Sequence, residues 1–189
     1  TPHQEGKWVT RSPAPVYVSE PSVTEMNGKM YLSGGVTSQD TSNKIYAYDP
    51  KTDSWTEFAT MPKRIHHHAS AAVNGKLYII GGAMGADQQE DSPVLDEVYA
   101  YDLEDGIPVQ VASLPHELAA GIAVSFKGHV YLFGGHRKFG TGAYNTTVLK
   151  YDPDSDSWSK AGYFERAREH LSAAADDSHI YIVGGRKYE

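Results

Sequence analysis

The chain sets short apolar runs between Gly, Asn and Asp, and no stretch keeps a helical spacing for more than about a turn. Four runs share one eight-residue phrase that ends in a glycine doublet: GKMYLSGG at 28–35, GKLYIIGG at 75–82, GHVYLFGG at 128–135 and SHIYIVGG at 178–185. Each phrase reads as a strand. A strand before it, 70–73 in the clearest unit, is joined to it by Asn74-Gly75, a pair suited to a two-residue hairpin with positive φ at both positions. Asn27-Gly28 and Lys127-Gly128 repeat that turn, and Asp177-Ser178 is a degraded copy. After the doublet come a variable loop and a third strand ending in Tyr-Asp, at 45–49, 98–102 and 148–152. The turns DPKTDSW and DPDSDSW then lead into a fourth strand at Trp55 and Trp158, while Pro108 takes the tryptophan's place in the middle unit. The first glycines of the doublets, Gly34, Gly81, Gly134 and Gly184, lie 47, 53 and 50 residues apart, the period of a repeat architecture. The pattern predicts an all-β fold of four-stranded antiparallel meanders over 21–60, 68–113 and 119–160. A half unit at 170–185 and a leftover outer strand at 7–10 around Trp8 complete one repeat-built domain over 1–189.

The glycine doublet, the Tyr-Asp pair, the Trp and the closing Met61-Pro62 or Leu114-Pro115 resemble the kelch repeat over nearly the whole chain. The resemblance implies a β-propeller in which each repeat is a blade, its first strand lining a central channel and its fourth facing outside. Three complete blades plus two incomplete ones leave the ring open, because such propellers usually have roughly five to seven. Three arrangements would resolve the open ends. The chain is a piece of a longer protein, or a homodimer in which the Trp8 strand of one copy completes the other's blade, or a closed four-bladed monomer.

The balance of 17 basic against 24 acidic residues gives a formal charge of −7, the wrong sign for a chain whose main partner is nucleic acid or an anionic membrane. No apolar run approaches the roughly 20 residues of a bilayer span. Zero cysteines exclude disulfides and thiolate chemistry. The start at Thr1 reads as a processed chain, compatible with secretion or the periplasm.

Candidate site residues fall on the loops and on the segments entering each blade. In the loop at 136–147, His136, Arg137, Phe139 and Tyr144 set cations beside aromatic rings, suited to a carboxylate, a sugar or a peptide acid. The loop at 83–96 is acidic through Asp87, Glu90 and Asp91, able to pair with that basic loop or to hold a cation. Counting back fourteen residues from each first glycine aligns Glu20, His67, Ala120 and His170, and counting back fifteen aligns Ser19, His66, Ala119 and Glu169. These are two levels of a ring near the channel mouth. Strand alternation sends His66 and His68 to one side and His67 to the other, which argues against one ion on all three, so neither a metal site nor a cofactor is expected. Asn145-Thr146-Thr147 fits the N-glycosylation acceptor pattern.

The family resemblance carries function as well. Arg64 and Arg168 lie close to where animal kelch adaptors carry peptide-binding arginines, which implies an interaction scaffold binding a protein, peptide or glycan on the loop face. A sialic-acid-mutarotase-like enzyme, with Glu20, His67, Glu169 and His170 supplying acid and base, is the alternative, and a self-assembling structural subunit is a third. The copper-radical sugar oxidases of this fold use a Tyr–Cys cofactor and are excluded by the lack of cysteine. The Glu-x-x-x-Asp-x-x-x-Cys ligand run of the plant specifier proteins is likewise missing.

Overall fold

The computed structural model describes residues 6–85 and 92–187, and every regular element among them is a β-strand. The first sheet is β1 (Ser22–Met26), β2 (Lys29–Ser33), β3 (Lys44–Asp49) and β4 (Ser54–Thr60). The second is β5 (Ala69–Val73), β6 (Lys76–Ile80), β7 (Val98–Asp102) and β8 (Pro108–Val111). The third is β9 (Ala119–Phe126), β10 (His129–His136), β11 (Thr147–Asp152) and β12 (Ser157–Tyr163), and β13 (Glu169–Ala175) pairs with β14 (Ile180–Arg186) alone. All pairings are antiparallel between consecutive strands, so each sheet is a meander. The hairpins close as the dipeptides predict, Asn27-Gly28, Asn74-Gly75 and Lys127-Gly128 all having positive φ. The fourth hairpin is held differently. Asp176 Oδ1 accepts from the backbone N–H groups of Ser178 and His179, both at 2.7 Å.

The sheets pack side by side through their first strands, β1 on β5, β5 on β9 and β9 on β13. Apolar side chains fill the wedges. Tyr31, Ile45, Leu77 and Tyr101 join the first two sheets, and Tyr78, Val98, Val130 and Tyr151 the second and third. A second tie lies at the inner end of each of the three four-stranded sheets, where the N–H of the second glycine donates to a carbonyl of the next blade. The pairs are Gly35 to Ile65 at 2.9 Å, Gly82 to Leu118 at 2.8 Å and Gly135 to Arg168 at 2.9 Å. The first glycines of these three doublets, Gly34, Gly81 and Gly134, lie so near the same carbonyls that a Cβ there would overlap them.

Turn residues supply a third tie, at the rim. Trp158 Nε1 donates to Ala112 O at 2.9 Å and Asp156 Oδ1 accepts from Ala112 N at 2.8 Å, fastening the chain that leaves the second sheet to the third. Trp55 and Asp53 hold Ser12 in the same way, at 3.1 and 2.9 Å. Ser12 thus occupies the place of a segment leaving a preceding blade. The strand expected at 7–10 does not form: Trp8 is 99% exposed, and a fourth strand needs a third to pair with, which the two-stranded sheet lacks among the described residues.

Candidate functional site

The segments entering the blades share a backbone feature that no sequence pattern announces. Glu20, His67, Ala120 and His170, the four residues aligned fourteen before the first glycines, all adopt left-handed conformations, with φ of 53°, 55°, 55° and 53°. Such residues cost on the order of 1–3 kcal/mol each and persist only where their surroundings enforce them. Here the enforcing element is a chain of hydrogen bonds from blade to blade. His67 N donates to Glu20 O at 3.2 Å and Ala120 N to His67 O at 2.7 Å. Ala120 has no functional side chain yet adopts the same φ, so the conformation belongs to the repeat and the side chains vary upon it.

The left-handed turn overturns the alternation expected for the three histidines. His67 lies before β5 begins, and its ring stands beside that of His66 with Nδ1 atoms 2.5 Å apart. His68 points away, its Nε2 sharing a 2.8 Å hydrogen bond with Ser33 Oγ. Glu20 Oε2 lies 3.6 Å from His67 Nε2 and 3.4 Å from His170 Nε2. The level above is fastened to this one: His170 Nδ1 is 3.4 Å from Glu169 Oε1, Glu169 Oε2 contacts His136 Nδ1, and Arg186 Nε donates to Glu169 Oε1 at 3.1 Å. Phe139 folds inward over the group, its ring centroid 4.2 Å from that of His136 and 5.4 Å from that of His67. Below, a cavity of about 270 Å³ is lined by Glu20, His67, Ala120, Ile122 and His170.

Burial sets the charge of this cluster. His67 is pushed down to about 3, first by burial and then by the neighbouring histidines, and burial likewise takes His68 down to about 3. His136 falls below its ordinary value as well, because burial outweighs the pull of Glu169. At neutral pH the contact between His136 and Glu169 is therefore a hydrogen bond from a neutral imidazole.

Seven of the expected site residues, Glu20, His66, His67, His136, Phe139, Glu169 and His170, form this one connected group. Tyr144 adjoins it by bridging to His136. Arg64 stands apart, bonded to Thr41 O at 2.9 Å and 3.4 Å from Asp40, and Arg168 lies over the ring of Phe164 at 5.3 Å. Arg137 is exposed, and the expected grip of cation and ring within one loop is not made, since Phe139 points in while Arg137 and Lys138 point out. Asp87, Glu90 and Asp91 lie outside the described residues. Asn145 is buried, its Nδ2 donating to Gly134 O at 3.1 Å and Thr147 O at 2.8 Å, so it serves the fold as a bracket and is closed to a glycan. Sequence reasoning missed Arg186. It stands two residues after a first glycine, level with His136, and extending the glycine alignment downstream would have exposed it.

Sheets of this form, latched by glycine doublets and rim tryptophans, define a kelch-type β-propeller. The KLHDC2/KLHL20/DRC7 Kelch-repeats domain model matches residues 3–110 and the Kelch motif model residues 123–164, and the chain belongs to the kelch-repeat family. Kelch-like protein 36 of Bos taurus is 28% identical over 187 residues, covering 96% of this chain and 29% of its own. Kelch-like protein terF of Aspergillus terreus is 27% identical, with 95% and 41% covered. The solved chain titled "Structure of YjhT" superposes with a TM-score of 0.76 at 19% identity, over 94% of this chain and 60% of that one, which shows the fold. The chain spans well under half the length of the curated relatives named here. No helix among the described residues is long and apolar enough to cross a membrane.

Proposed function

We propose that the chain is an interaction scaffold that docks an acidic segment of a partner protein on the loop face around the channel mouth. The observation carrying this reading is the loop after β10. Its base is fixed inside by His136 and Phe139, and its return by Arg137 N to Ala143 O at 2.9 Å and Asn145 N to Gly135 O at 2.8 Å. Between these anchors Arg137 and Lys138 are held outward and exposed. A loop backbone preset in this way loses little freedom when its cations bind a carboxylate. Arg168 stands beside the same base, through the bond from Gly135 N to its carbonyl. Membership of a family with relatives named kelch-like proteins supports a protein partner.

Binding of fluorescent acidic and basic peptides, followed by polarisation across salt concentrations, tests the reading. Acidic peptides are expected to bind more tightly, to weaken with salt, and to lose about tenfold or more in affinity when Arg137→Glu and Lys138→Glu are combined. Equal binding of both peptide classes, or no effect of the double reversal, would sink it. Faster anomeric exchange of a reducing sugar on adding the chain would instead assign the cluster to carbohydrate chemistry.

A further inference from the structure

Three side chains from the segments that begin three different sheets bring donor atoms to one point in the channel. Glu20 Oε2 is 3.6 Å from His67 Nε2 and 3.4 Å from His170 Nε2, and the three donors all lie within 4.8 Å of one another. Four ligands at about 2.0–2.2 Å from a tetrahedral zinc-type ion stand about 3.4 Å apart, so two of the three separations already fit or nearly fit. His67 Nε2 is fully buried and has no hydrogen-bond partner among the described residues. At 3.6 Å it is too far from Glu20 to donate a hydrogen bond, and in the tautomer protonated at Nδ1 its lone pair faces a carboxylate oxygen, two acceptors in opposition. A cation between them resolves that opposition.

The surroundings orient both imidazoles for the task. His67 Nδ1 shares its hydrogen bond with His66 Nδ1, and the tautomer in which His67 donates leaves Nε2 with a free lone pair aimed at Glu20. His170 Nδ1 faces Glu169 Oε1 at 3.4 Å, and Glu169 is fixed in turn by His136 and Arg186. A carboxylate behind a ligating imidazole sets its ring and raises its basicity. The fourth left-handed position of the ring is Ala120, which offers no donor and borders the cavity of about 270 Å³.

We propose that Glu20, His67 and His170 together bind one divalent transition-metal ion of the zinc type, with a fourth coordination position open to the channel cavity. Two imidazoles and one carboxylate form a borderline donor set that favours such ions over calcium or magnesium. Glu20 and His170 are 30% and 23% exposed at their side chains, which gives the ion a way in from the channel. The proposal stands independently of any protein partner.

The test uses the whole 189-residue chain, stripped with a chelator and titrated with Zn²⁺ in competition with a chromophoric chelator at neutral pH. One equivalent is expected to bind. Co²⁺ in its place is expected to give the visible absorption of a four- or five-coordinate site, removed by adding Zn²⁺. Glu20→Gln and His170→Ala, at partly exposed positions, should each weaken Zn²⁺ binding by more than about tenfold with circular dichroism unchanged, while His179→Ala on an exposed turn leaves it as it was. The buried His67 is left intact, because its loss would test folding as well as binding. Absence of stoichiometric binding, or a folded Glu20→Gln, His170→Ala double variant that binds like the parent chain, would overturn the site.

Discussion

Tyr48, Tyr101 and Tyr151 fill the same place in three successive blades, yet their hydroxyls end differently. Tyr48 Oη donates to Asp53 Oδ1 at 2.7 Å and Tyr151 Oη to Asp156 Oδ1 at 2.8 Å. Tyr101 Oη is buried without a hydrogen-bond partner among the described residues. A single position accounts for the difference: five residues after the tyrosine, Gly106 replaces the aspartate. The backbone is left-handed at all three, with φ of 52°, 45° and 64° at Asp53, Asp156 and Gly106, so the turn survives and only the acceptor is lost. The hydroxyl of Tyr151 should therefore stabilise the fold and that of Tyr101 should not. Tyr151→Phe is expected to cost about 1 kcal/mol, and Tyr101→Phe to fall within about 0.5 kcal/mol of zero or to stabilise. Urea unfolding of the two variants decides it, and equal losses would mean that Tyr101 has found an acceptor.

The first three glycine doublets each end the second strand of a blade and meet the segment that starts the next. Gly81 has a φ of 59°, and a Cβ on it would overlap the carbonyl of Leu118. Gly128, in a hairpin turn, has a φ of 78° and nothing within 4 Å of such a Cβ. Gly128→Ala therefore carries only the left-handed cost of about 1–2 kcal/mol, whereas Gly81→Ala adds displacement of a neighbouring blade and should cost about 3 kcal/mol or more. Matching melting temperatures for the two variants would contradict this. Strands, hairpins and repeat period were legible because glycine doublets and Asn-Gly pairs mark backbone conformations that few other residues accept. The glycine alignment also placed Glu20, His67 and His170 on one level. It did not show that these positions are left-handed, since Glu, His and Ala carry no sign of it, and strand alternation therefore put His66 and His67 on opposite sides. Pairing of the strand at 7–10 was illegible for another reason: whether a strand forms depends on a partner elsewhere in the ring.

Across the whole molecule the channel end gathers histidines that the fold holds neutral, and this fixes how stability responds to acid. His68 is buried, its Nε2 bonded to Ser33 and its Nδ1 without a hydrogen-bond partner among the described residues, and its proton affinity is pushed down to about 3 from an ordinary value near 6.5. His67 is lowered to about 3 as well, with burial again the first cause. Above pH 6.5 both folded and unfolded chains leave these rings neutral, and they contribute nothing to the pH dependence. Between about 6.5 and 3 the unfolded chain takes up protons that the folded chain refuses, so stability is lost as pH falls through that window, and below it the slope vanishes. The limiting slope is about 1.4 kcal/mol per pH unit for each such ring. In chelator, to keep metal out of the comparison, unfolding free energy should be flat from pH 8 to 7 and decline steeply from 6 to 4. His68→Gln keeps a polar group beside Ser33 but cannot take up a proton, and should remove up to one ring's share of that decline. A steep loss that His68→Gln leaves unchanged would mean that acid opens the molecule elsewhere, through carboxylates such as Asp53. That carboxyl is held below its ordinary range first by the backbone N–H of Ser12, and it acts in the lower window, below about 4. The position of the decline along the pH axis therefore separates the channel histidines from the rim latches.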